Sequence, residues 1–383
     1  MKSGNILILG GYGNAGSPIA ELLLKFTQVR LVVAGRNATK AEATARNLNA
    51  VYKGDRVSAK FVDVTDHESL KNSMQDTDLV IVASSTAQYA REVAGTVIAA
   101  GLDYFDIQYS LEKVRILKSM EEKIRNAGFC FITDGGFHPG LPAVLVRYAA
   151  QFYDTYQKAN VGSLIQLDWK NISLSDTTKI EFVGELLDYQ GLLFKNGAWK
   201  AAGVWSTRDF ITMDMGTPFG KKLCTPMFFE EMRILPGLFP SLKETGFFIA
   251  GFNWFSDMII MPLIFMVLKI FPRVSAKAMA NLFFWSMKRF SSPPYHTILK
   301  LDSSGMKDGV SKTVTVTLKH ENSYLFTAIP VVACLLQYLD GTIRKPGLWF
   351  MGNVVDPDRL LNDMIRMGIQ MKINPLGNVK EYS

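Results

Sequence analysis

The sequence has few of the residues that form disulfide bonds or bind transition metals. Only three cysteines occur among 383 residues, Cys130, Cys224 and Cys334, and they lie far apart. There are four histidines, and the sequence has no C-x-x-C pair, no Cys/His cluster and no H-E-x-x-H motif. Because disulfide frameworks and zinc sites need paired or closely spaced ligands, we expect neither a disulfide scaffold nor a bound metal.

Long runs of positive charge are also absent, although the chain is basic. Its net charge is +7 and its pI is about 9.1. The lysines and arginines are dispersed and no nucleic-acid-binding module is present, so binding to DNA or RNA is not expected. A phosphorylated cofactor or an anionic membrane surface suits the excess charge better. Because the N-terminus carries no signal-peptide pattern, we expect a cytoplasmic location, with attachment to a membrane surface as an open alternative.

The N-terminal third alternates short apolar runs with helix-like segments. The chain is long enough for two domains, and 48% of its residues are hydrophobic. Buried parallel strands are continuous apolar runs, and helices cover both faces of such sheets. The predicted strands lie at 6–9, 29–34, 57–62, 79–83, 103–107 and 129–133. This pattern predicts an α/β domain with a doubly wound parallel sheet.

The first predicted strand leads directly into a glycine-rich turn. Gly11, Gly13 and Gly16 form the pattern G-x-G-x-x-G between this strand and a helix predicted at 17–26. In such turns the first glycine permits the bend, the second lets the backbone approach a pyrophosphate, and the third lets the helix pack on the strand. The N–H groups at the helix start then bind phosphate. This context predicts a Rossmann-type dinucleotide site, and its expected contacts are Gly11, Tyr12, Gly13, Asn14, Ala15 and Gly16.

No acidic residue follows the second strand at the position that decides between NAD and NADP. Sites for NAD usually carry Asp or Glu about twenty residues past the glycines, where it bonds the ribose 2′-hydroxyl. This chain has Arg36 in that region, and a guanidinium can bind a 2′-phosphate through two hydrogen bonds. We therefore predict NADP, with NAD less suitable, and place Arg36, Asn37 and Lys40 around the phosphate. The alternative is that Arg36 is only a solvated loop residue.

Loops at the carboxyl ends of the next strands complete the predicted cofactor site, because open parallel sheets bind ligands at that edge. Asp63 and Val64 are placed at the adenine, although a turn or capping role suits Asp63 equally. Thr65 and Glu68 have the spacing of a capping box for the following helix. The loop after the fourth strand is placed near the nicotinamide and contributes Ala83, Ser84 and Ser85.

Three side chains at the strand ends are candidates for catalytic proton transfer. His138 lies in a loop rich in glycine and proline, and its imidazole titrates near neutral pH. Asp106 and Tyr109 follow the fifth predicted strand. Each has a structural alternative: a loop hydrogen bond for His138, capping for Asp106 and core packing for Tyr109.

Several segments together resemble the saccharopine dehydrogenase-like oxidoreductases. They are the glycine turn and the segments at 34–37, 63–64, 135–142 (G-G-F-H-P-G-L-P), 324–330 (Y-L-F-T-A-I-P), 340–341, 345–347 and 367–369. The resemblance implies an NAD(P)-binding Rossmann domain at 1–134 and a mixed α/β substrate domain at 135–324 that often dimerises. It also implies a helix near 325–345 that packs back on the nucleotide domain, before a C-terminal segment at 346–383. We therefore expect a homodimer.

The resemblance also implies chemistry at a C–N bond. Such an enzyme joins an amine and a carbonyl through an imine by hydride transfer, or performs the oxidative reverse. The middle of the chain offers many Phe, Met and Trp side chains, whereas a substrate with several carboxylates would need grouped cations. Two alternatives therefore stay open. One is an NADPH-dependent reductase of a lipid-like enoyl or carbonyl substrate at a membrane surface, and the other is a non-catalytic NADP-binding scaffold or sensor.

An apolar segment at 247–290 is the least usual part of the sequence, and we expect it to be helical. Its uncharged core, 258–268, is shorter than the roughly twenty residues that a membrane span needs, and Asp257 and Pro262 argue further against a span. Lysines and arginines follow among Phe283, Phe284 and Trp285, which suits a helix pair on a membrane surface. The alternatives are a core or dimer interface and a true span.

Shorter patterns predict strands in the remainder of the second domain. Asn196-Gly197 predicts a tight hairpin over 192–199. Alternating apolar residues predict strands at 163–170, 297–302 and 313–319. The segment 216–239 has no assignable pattern.

Overall fold

The chain forms two compact units in a computed structural model that describes residues 4–172, 179, 183–184, 190–202, 207–271, 276–375 and 380–382. The first unit comprises residues 1–144 and 324–368, and the second comprises residues 145–323 and 369–383. The first division therefore falls at residue 144, whereas the sequence placed it at 134. Residues 346–368 belong to the first unit.

Several helices bury one apolar face, as their sequence spacing predicts. In the first of them Ile19, Leu22 and Leu23 lie at i, i+3 and i+4 and are buried. In chain order the α-helices of the described residues are α1 (Gly16–Phe26), α2 (Ala38–Val51), α3 (His67–Ser73), α4 (Ala90–Ala100), α5 (Leu111–Ser119), α6 (Glu121–Ala127), α7 (Leu141–Ala149), α8 (Leu235–Leu238), α9 (Met261–Ile270), α10 (Ala276–Phe290), α11 (Ser323–Leu339), α12 (Met351–Val354) and α13 (Pro357–Arg366).

The first unit is built on a seven-stranded sheet in which all paired strands run parallel. Its strands are β1 (Asn5–Leu9), β2 (Arg30–Gly35), β3 (Val57–Phe61), β4 (Leu79–Val82), β5 (Asp103–Asp106), β6 (Cys130–Thr133) and β15 (Gly347–Phe350). Their spatial order is β15-β6-β5-β4-β1-β2-β3. The predicted doubly wound α/β fold is confirmed. Strand β15 was not predicted; it has four residues and pairs with β6 from far along the chain.

Helix α11 belongs to the first unit, as the resemblance implied. A buried carboxylate at the start of β5 ties the end of this helix to the sheet. Asp103 accepts hydrogen bonds from the Tyr338 hydroxyl at 2.5 Å and from Arg344 Nε at 2.7 Å. It also accepts one from the Cys130 amide of β6 at 2.7 Å. The carboxylate therefore joins β5, β6 and the chain that follows α11.

The second unit contains a ten-stranded mixed sheet. Its strands are β7 (Thr155–Gln166), β8 (Leu192–Lys195), β9 (Ala198–Ala201), β10 (Ile211–Asp214), β11 (Lys221–Met227), β12 (Glu244–Ala250), β13 (His296–Lys307), β14 (Val310–His320), β16 (Gln370–Pro375) and β17 (Lys380–Tyr382). They are ordered β10-β11-β12-β7-β13-β14-β16-β17, and the β8–β9 hairpin pairs with β12 through β8. The hairpin predicted at Asn196-Gly197 is confirmed, with φ angles of 52° and 81° at these two residues.

The apolar segment at 247–290 is only partly helical. Residues 247–250 belong to strand β12 and pair in parallel with β7, so the helical expectation is wrong there. A short apolar run is compatible with a buried strand or a buried helix, and its sheet neighbours decide the outcome. The described residues after 250 include a π-helical turn (Ser256–Ile260), α9 and α10. In the described part of the chain, every helix is too short or too polar to cross a bilayer.

Candidate active site

The glycine turn between β1 and α1 is closed by backbone contacts that exclude side chains. Gly10 has a φ of 82°, and its N–H donates to Ala34 O at 2.7 Å. The Gly13 N–H donates to Gly10 O at 2.8 Å. A Cβ atom on Gly16 would overlap the Gly10 carbonyl, and one on Gly11 would lie 3.0 Å from Ile8 O. Gly10, whose positive φ starts the bend, was not among the predicted site residues, although the Gly-Gly pair was a signal for it.

The N-terminus of α1 is suited to bind phosphate. This end of the helix has no side-chain cap and no acidic residue in its first turn. Its partial positive charge therefore meets no protein carboxylate, which favours an anion. Asn14 is exposed in the turn, and its amide donates to the Tyr324 hydroxyl of α11 at 3.1 Å. This bond connects the turn to the returning helix.

Tyr12 organises the loop after β2. Its hydroxyl accepts a hydrogen bond from the Asn37 N–H at 3.0 Å, and a Cβ atom on Gly35 would lie 2.6 Å from that hydroxyl oxygen. Asn37 Oδ1 accepts from the Lys40 N–H and caps α2. Arg36 and Lys40 are exposed beside this helix start. The loop therefore presents two cations and a helix N-terminus, which is a suitable environment for a 2′-phosphate.

Asp63 forms the turn after β3. Its Oδ1 accepts from the Thr65 amide at 3.0 Å and from the Thr65 hydroxyl at 2.8 Å. These bonds, with a smaller contribution from the positive charge of Arg36, lower the pKa of Asp63. The expected capping box of Thr65 and Glu68 is wrong, because Asp66 caps α3 by accepting from the Glu68 and Ser69 amides. Asp66 is the closer residue to the helix start, so its carboxylate reaches these two donors.

The loop after β4 is held by Gln108, a residue that was not among the predicted site residues. Its amide donates to Ser84 O at 2.5 Å and to the Thr86 hydroxyl at 3.2 Å. The hydroxyls of Ser84 and Thr86 lie 3.0 Å apart. The loop also lies against the glycine turn, since a Cβ atom on Gly10 would be 2.7 Å from Ala83 O.

A buried ion-pair network joins the ends of β5 and β6. Lys113 Nζ lies 2.6 Å from Asp106 Oδ1 and 2.7 Å from Asp134 Oδ1, and it also donates to Gln108 O. Asp106 Oδ2 accepts from the Thr133 hydroxyl at 2.7 Å. Burial by itself would lower the pKa of Lys113, but the two carboxylates hold that pKa above its ordinary value. Lys113 is thus a buried cation. Its position in the amphipathic helix α5 gave no indication that it would be buried.

His138 lies in the loop after β6 beside an aromatic pair. The ring of Phe137 stacks on Phe326 of α11 at 5.2 Å and lies 3.8 Å from the His138 ring. His138 Nε2 is buried, and desolvation lowers the pKa of this imidazole to about 4. The imidazole is therefore neutral at physiological pH. Tyr109 is half-buried in the segment after β5.

Comparison with known proteins agrees with this geometry. Residues 6–129 match the family described as the saccharopine dehydrogenase NADP binding domain. The match includes the glycine turn and the loop after β2. Carboxynorspermidine synthase of Vibrio cholerae is 22% identical, with 94% of each chain covered. Apo saccharopine dehydrogenase (L-Glu forming) of Saccharomyces cerevisiae has the same fold, with a TM-score of 0.68 at 15% identity. The superposition covers 98% of this chain and 100% of the yeast chain.

The first unit therefore contains an NADP-binding domain at residues 6–129. Its strand-end loops lie at one edge of the parallel sheet, so the structure brings together the predicted cofactor residues with His138, Asp106 and Tyr109. The glycine turn and the cations after β2 fit a phosphorylated dinucleotide. Asp63, Asn37 Oδ1 and Asp106 already have internal hydrogen-bond partners. The roles of individual residues toward cofactor and substrate stay predictions.

Proposed function

We propose that this chain is an NADP-dependent oxidoreductase that transfers hydride between NADP and the carbon of an imine or secondary amine. The observation that carries this proposal is the family match over the same residues that form the glycine turn and the cationic loop. The two relatives named above are called saccharopine dehydrogenase and carboxynorspermidine synthase, names that refer to amino compounds. In the reductive direction the imine carbon gains hydride and its protonated nitrogen becomes an amine.

We propose that the cofactor lies along the strand-end loops in the order that the sequence predicted. Residues 11–16 hold the pyrophosphate, and Arg36 with Lys40 and the N-terminus of α2 hold the 2′-phosphate. The turn at Asp63 and Val64 borders the adenine, and the loop of Ala83, Ser84 and Ser85 borders the nicotinamide half. Bound NADPH would supply the hydride. The protein's part is to orient the two reactants and to exclude water.

We propose different tasks for the three catalytic candidates. Neutral His138 donates or accepts a hydrogen bond to the substrate, and Tyr109 offers a second polar contact from the segment after β5. Asp106 is wholly buried and paired with Lys113, so it acts by positioning the strand ends that carry the other two. A protonated imine needs no further acid, whereas amine oxidation needs a proton acceptor, and His138 in its neutral form suits that direction.

The reaction is tested with the purified full chain by following NADPH consumption. One panel pairs primary amines with keto acids or aldehydes, and a second contains apolar enoyl and carbonyl compounds. Turnover confined to the first panel is expected. Turnover confined to the second panel would overturn the C–N assignment in favour of the lipid-like reductase. NADPH binding without turnover in either panel would instead identify a cofactor-bound scaffold or sensor.

A second candidate function is reduction of a lipid-like enoyl or carbonyl substrate at a membrane surface. The observation that favours it is the exposed apolar face of α9, on which Met266 and Ile270 are 57% and 62% exposed. We propose a cytoplasmic protein with peripheral membrane contact through residues 247–290, and a homodimer as its assembly. Analytical ultracentrifugation of the chain in detergent-free buffer measures the assembly directly.

Replacement of His138 by alanine is expected to lower turnover about tenfold, the effect of losing one hydrogen bond to the substrate. NADPH affinity should not change, since the glycine turn and the cationic loop are untouched. The measurement is kcat together with the Kd for NADPH. Unchanged kcat would remove His138 from the catalytic candidates.

The depressed pKa of His138 predicts a pH effect on stability as well. The unfolded imidazole binds a proton below about pH 6.5 and the folded one only near pH 4. Falling pH therefore favours the unfolded chain between these values. His138→Phe, which cannot take up this proton, should show a flatter decline of unfolding free energy over the same pH range.

A further inference from the structure

The helical pair of the second unit carries a continuous apolar stripe on its surface. The stripe consists of residues at i+4 spacing, which places them on one side of the helix through the π-helical turn and α9. It comprises Trp254, Met258, Pro262, Met266 and Ile270. Trp254 is 68% exposed and Met258 is 64% exposed. Ile259 and Phe271 are exposed beside it.

The opposite side of α9 is already packed. Ile260, Ile264 and Leu268 are buried in a cluster with Phe283, Phe284 and Met287 of α10. A helix on a protein surface normally has polar residues on its solvent side. Here both sides are apolar, and α10 covers only one of them. The stripe therefore fits a second apolar environment better than it fits water.

Aromatic side chains extend the stripe toward α10. Trp285 is 53% exposed and Phe290 is 37% exposed. Both contact Phe255, with ring centroids 6.4 Å and 4.8 Å from its ring. Trp254 lies 6.4 Å from Phe290. Tryptophan is favoured at the boundary between lipid tails and headgroups, because its ring is apolar and its N–H is polar.

Positive charge lies next to these aromatic residues. A groove of about 480 Å³ is lined by Lys170, Lys179, Asn281, Phe284, Trp285, Lys288 and Arg289. The sequence contains no acidic residue between Asp257 and Asp302. The Asp257 carboxylate accepts a hydrogen bond from the Phe252 N–H at 3.1 Å and lies against Gly251. This carboxylate is therefore bonded to the backbone of its own segment. The surface thus combines apolar side chains with cations, and the segment 258–301 contains no acidic residue that could neutralise these cations.

The combination of apolar side chains and cations favours one of two possible partners for this surface, a second copy of the chain or a lipid bilayer. A two-fold dimer through this face would place identical cations of both copies together, which costs energy. An anionic bilayer offers acyl chains to the stripe and phosphate groups to the cations at the same time. We propose that the pair of α9 and α10 binds the surface of an anionic phospholipid bilayer, with the stripe at the acyl boundary and the groove at the headgroup phosphates. This interaction does not depend on the proposed reaction.

Vesicle flotation of the full chain tests the proposal. The probes are vesicles of phosphatidylcholine alone and of equimolar phosphatidylcholine and phosphatidylglycerol. The chain should float with the anionic vesicles and much less with the neutral ones, and added salt should weaken the binding. Inorganic phosphate at millimolar levels should not release it, because a free anion cannot replace the acyl boundary.

Two variants separate the apolar and the charged contributions. Met266→Ser with Ile270→Ser should abolish flotation, whereas Lys288→Gln with Arg289→Gln should weaken binding to anionic vesicles about 30-fold. The matched control is Val310→Ser, because Val310 is 67% exposed in the same unit outside the helical pair. It should float like the unaltered chain. Circular dichroism and NADPH binding verify that each variant is folded.

Three results would overturn the proposal. The unaltered chain would stay in the soluble fraction with anionic vesicles, or the serine variant would float as well as the control. Alternatively, the unaltered chain would be a dimer that the serine variant dissociates, with no vesicle binding in either form, and the face would then be a protein interface. None of these results depends on catalytic turnover, so the proposed reaction is judged separately.

Discussion

Replacement of Lys113 by methionine is expected to destabilise the first unit by about 3–5 kcal/mol. The side chain is fully buried, and its ammonium group lies between Asp106 and Asp134 at 2.6 Å and 2.7 Å. Methionine fills similar space but leaves two carboxylates buried with no cation between them. Loss of one member of a buried charge network costs far more than the network contributes relative to apolar residues.

Urea unfolding at pH 7 measures this effect, and Arg115→Met on the same helix is the control. Arg115 pairs with Glu112 at 3.2 Å, but both side chains are about two-thirds exposed, 67% and 66%. Exposed pairs contribute little, so the control should change stability by less than about 0.5 kcal/mol. A Lys113→Met protein as stable as the unaltered chain would mean that the network is not a structural element.

The pH dependence of the same variant checks the cause. Without the ammonium group, two carboxylate charges would be buried close together with no cation to balance them, an arrangement that favours uptake of a proton at low pH. A carboxyl group whose pKa is raised on folding favours the folded state at low pH, and this advantage is lost as pH rises through that pKa. The stability deficit of the variant should therefore shrink as the pH is lowered. A deficit independent of pH would point to packing as the cause.

The network also predicts that Asp106 affects turnover without contact with the substrate. Lys113 joins the end of β5 to the end of β6, and these ends continue into the segments that carry Tyr109 and His138. Asp106→Asn should therefore lower kcat through misplacement of those segments, with stability lowered in parallel. A catalytic proton transfer by Asp106 would instead change the pH profile of a variant that remains fully stable.

The nucleotide-binding half of the fold could be predicted because its signals are local. Buried parallel strands require continuous apolar runs, and the turn after β1 requires glycine where a Cβ atom would meet backbone. Strand β15 gave no such signal, since Gly347–Phe350 is short and acquires its identity from pairing with Cys130–Thr133. Residues 247–250 had an apolar run that suits either element, and their pairing with β7 makes them a strand.

The site was predicted less completely than the fold for a related reason. Backbone conformation identifies glycines, and the positive charge of Arg36 predicts a ligand for phosphate. Gln108 and Lys113 have no local signal, because their partners Ser84 and Asp134 lie far away in the sequence. Helix α3 begins one residue later than the predicted capping box requires, so Asp66 caps it in place of Thr65. Buried polar networks are therefore found only when tertiary contacts are known.

Replacement of Arg36 by aspartate is expected to weaken NADPH binding about 100-fold and to strengthen NADH binding. Arg36 is exposed beside the start of α2, near enough to Asp63 for its charge to lower the pKa of that carboxyl. A charge-assisted pair with a 2′-phosphate contributes about 1.5–3 kcal/mol, and aspartate would repel that phosphate. Aspartate can also accept a hydrogen bond from the 2′-hydroxyl of NADH, as acidic residues do at this position of NAD sites.

Fluorescence titration of both reduced cofactors gives the two affinities, and Arg46→Asp is the matched control. Arg46 lies on the same helix α2, is exposed, and pairs with Glu42 at 3.8 Å. The control introduces the same change of charge away from the helix start, so it reports the long-range electrostatic effect alone. If the unaltered chain binds NADPH and NADH equally, Arg36 is only a solvated loop residue. If both variants weaken NADPH binding alike, the net charge of the unit and not a contact at Arg36 determines the preference, because loss of a contact would affect only the Arg36 variant.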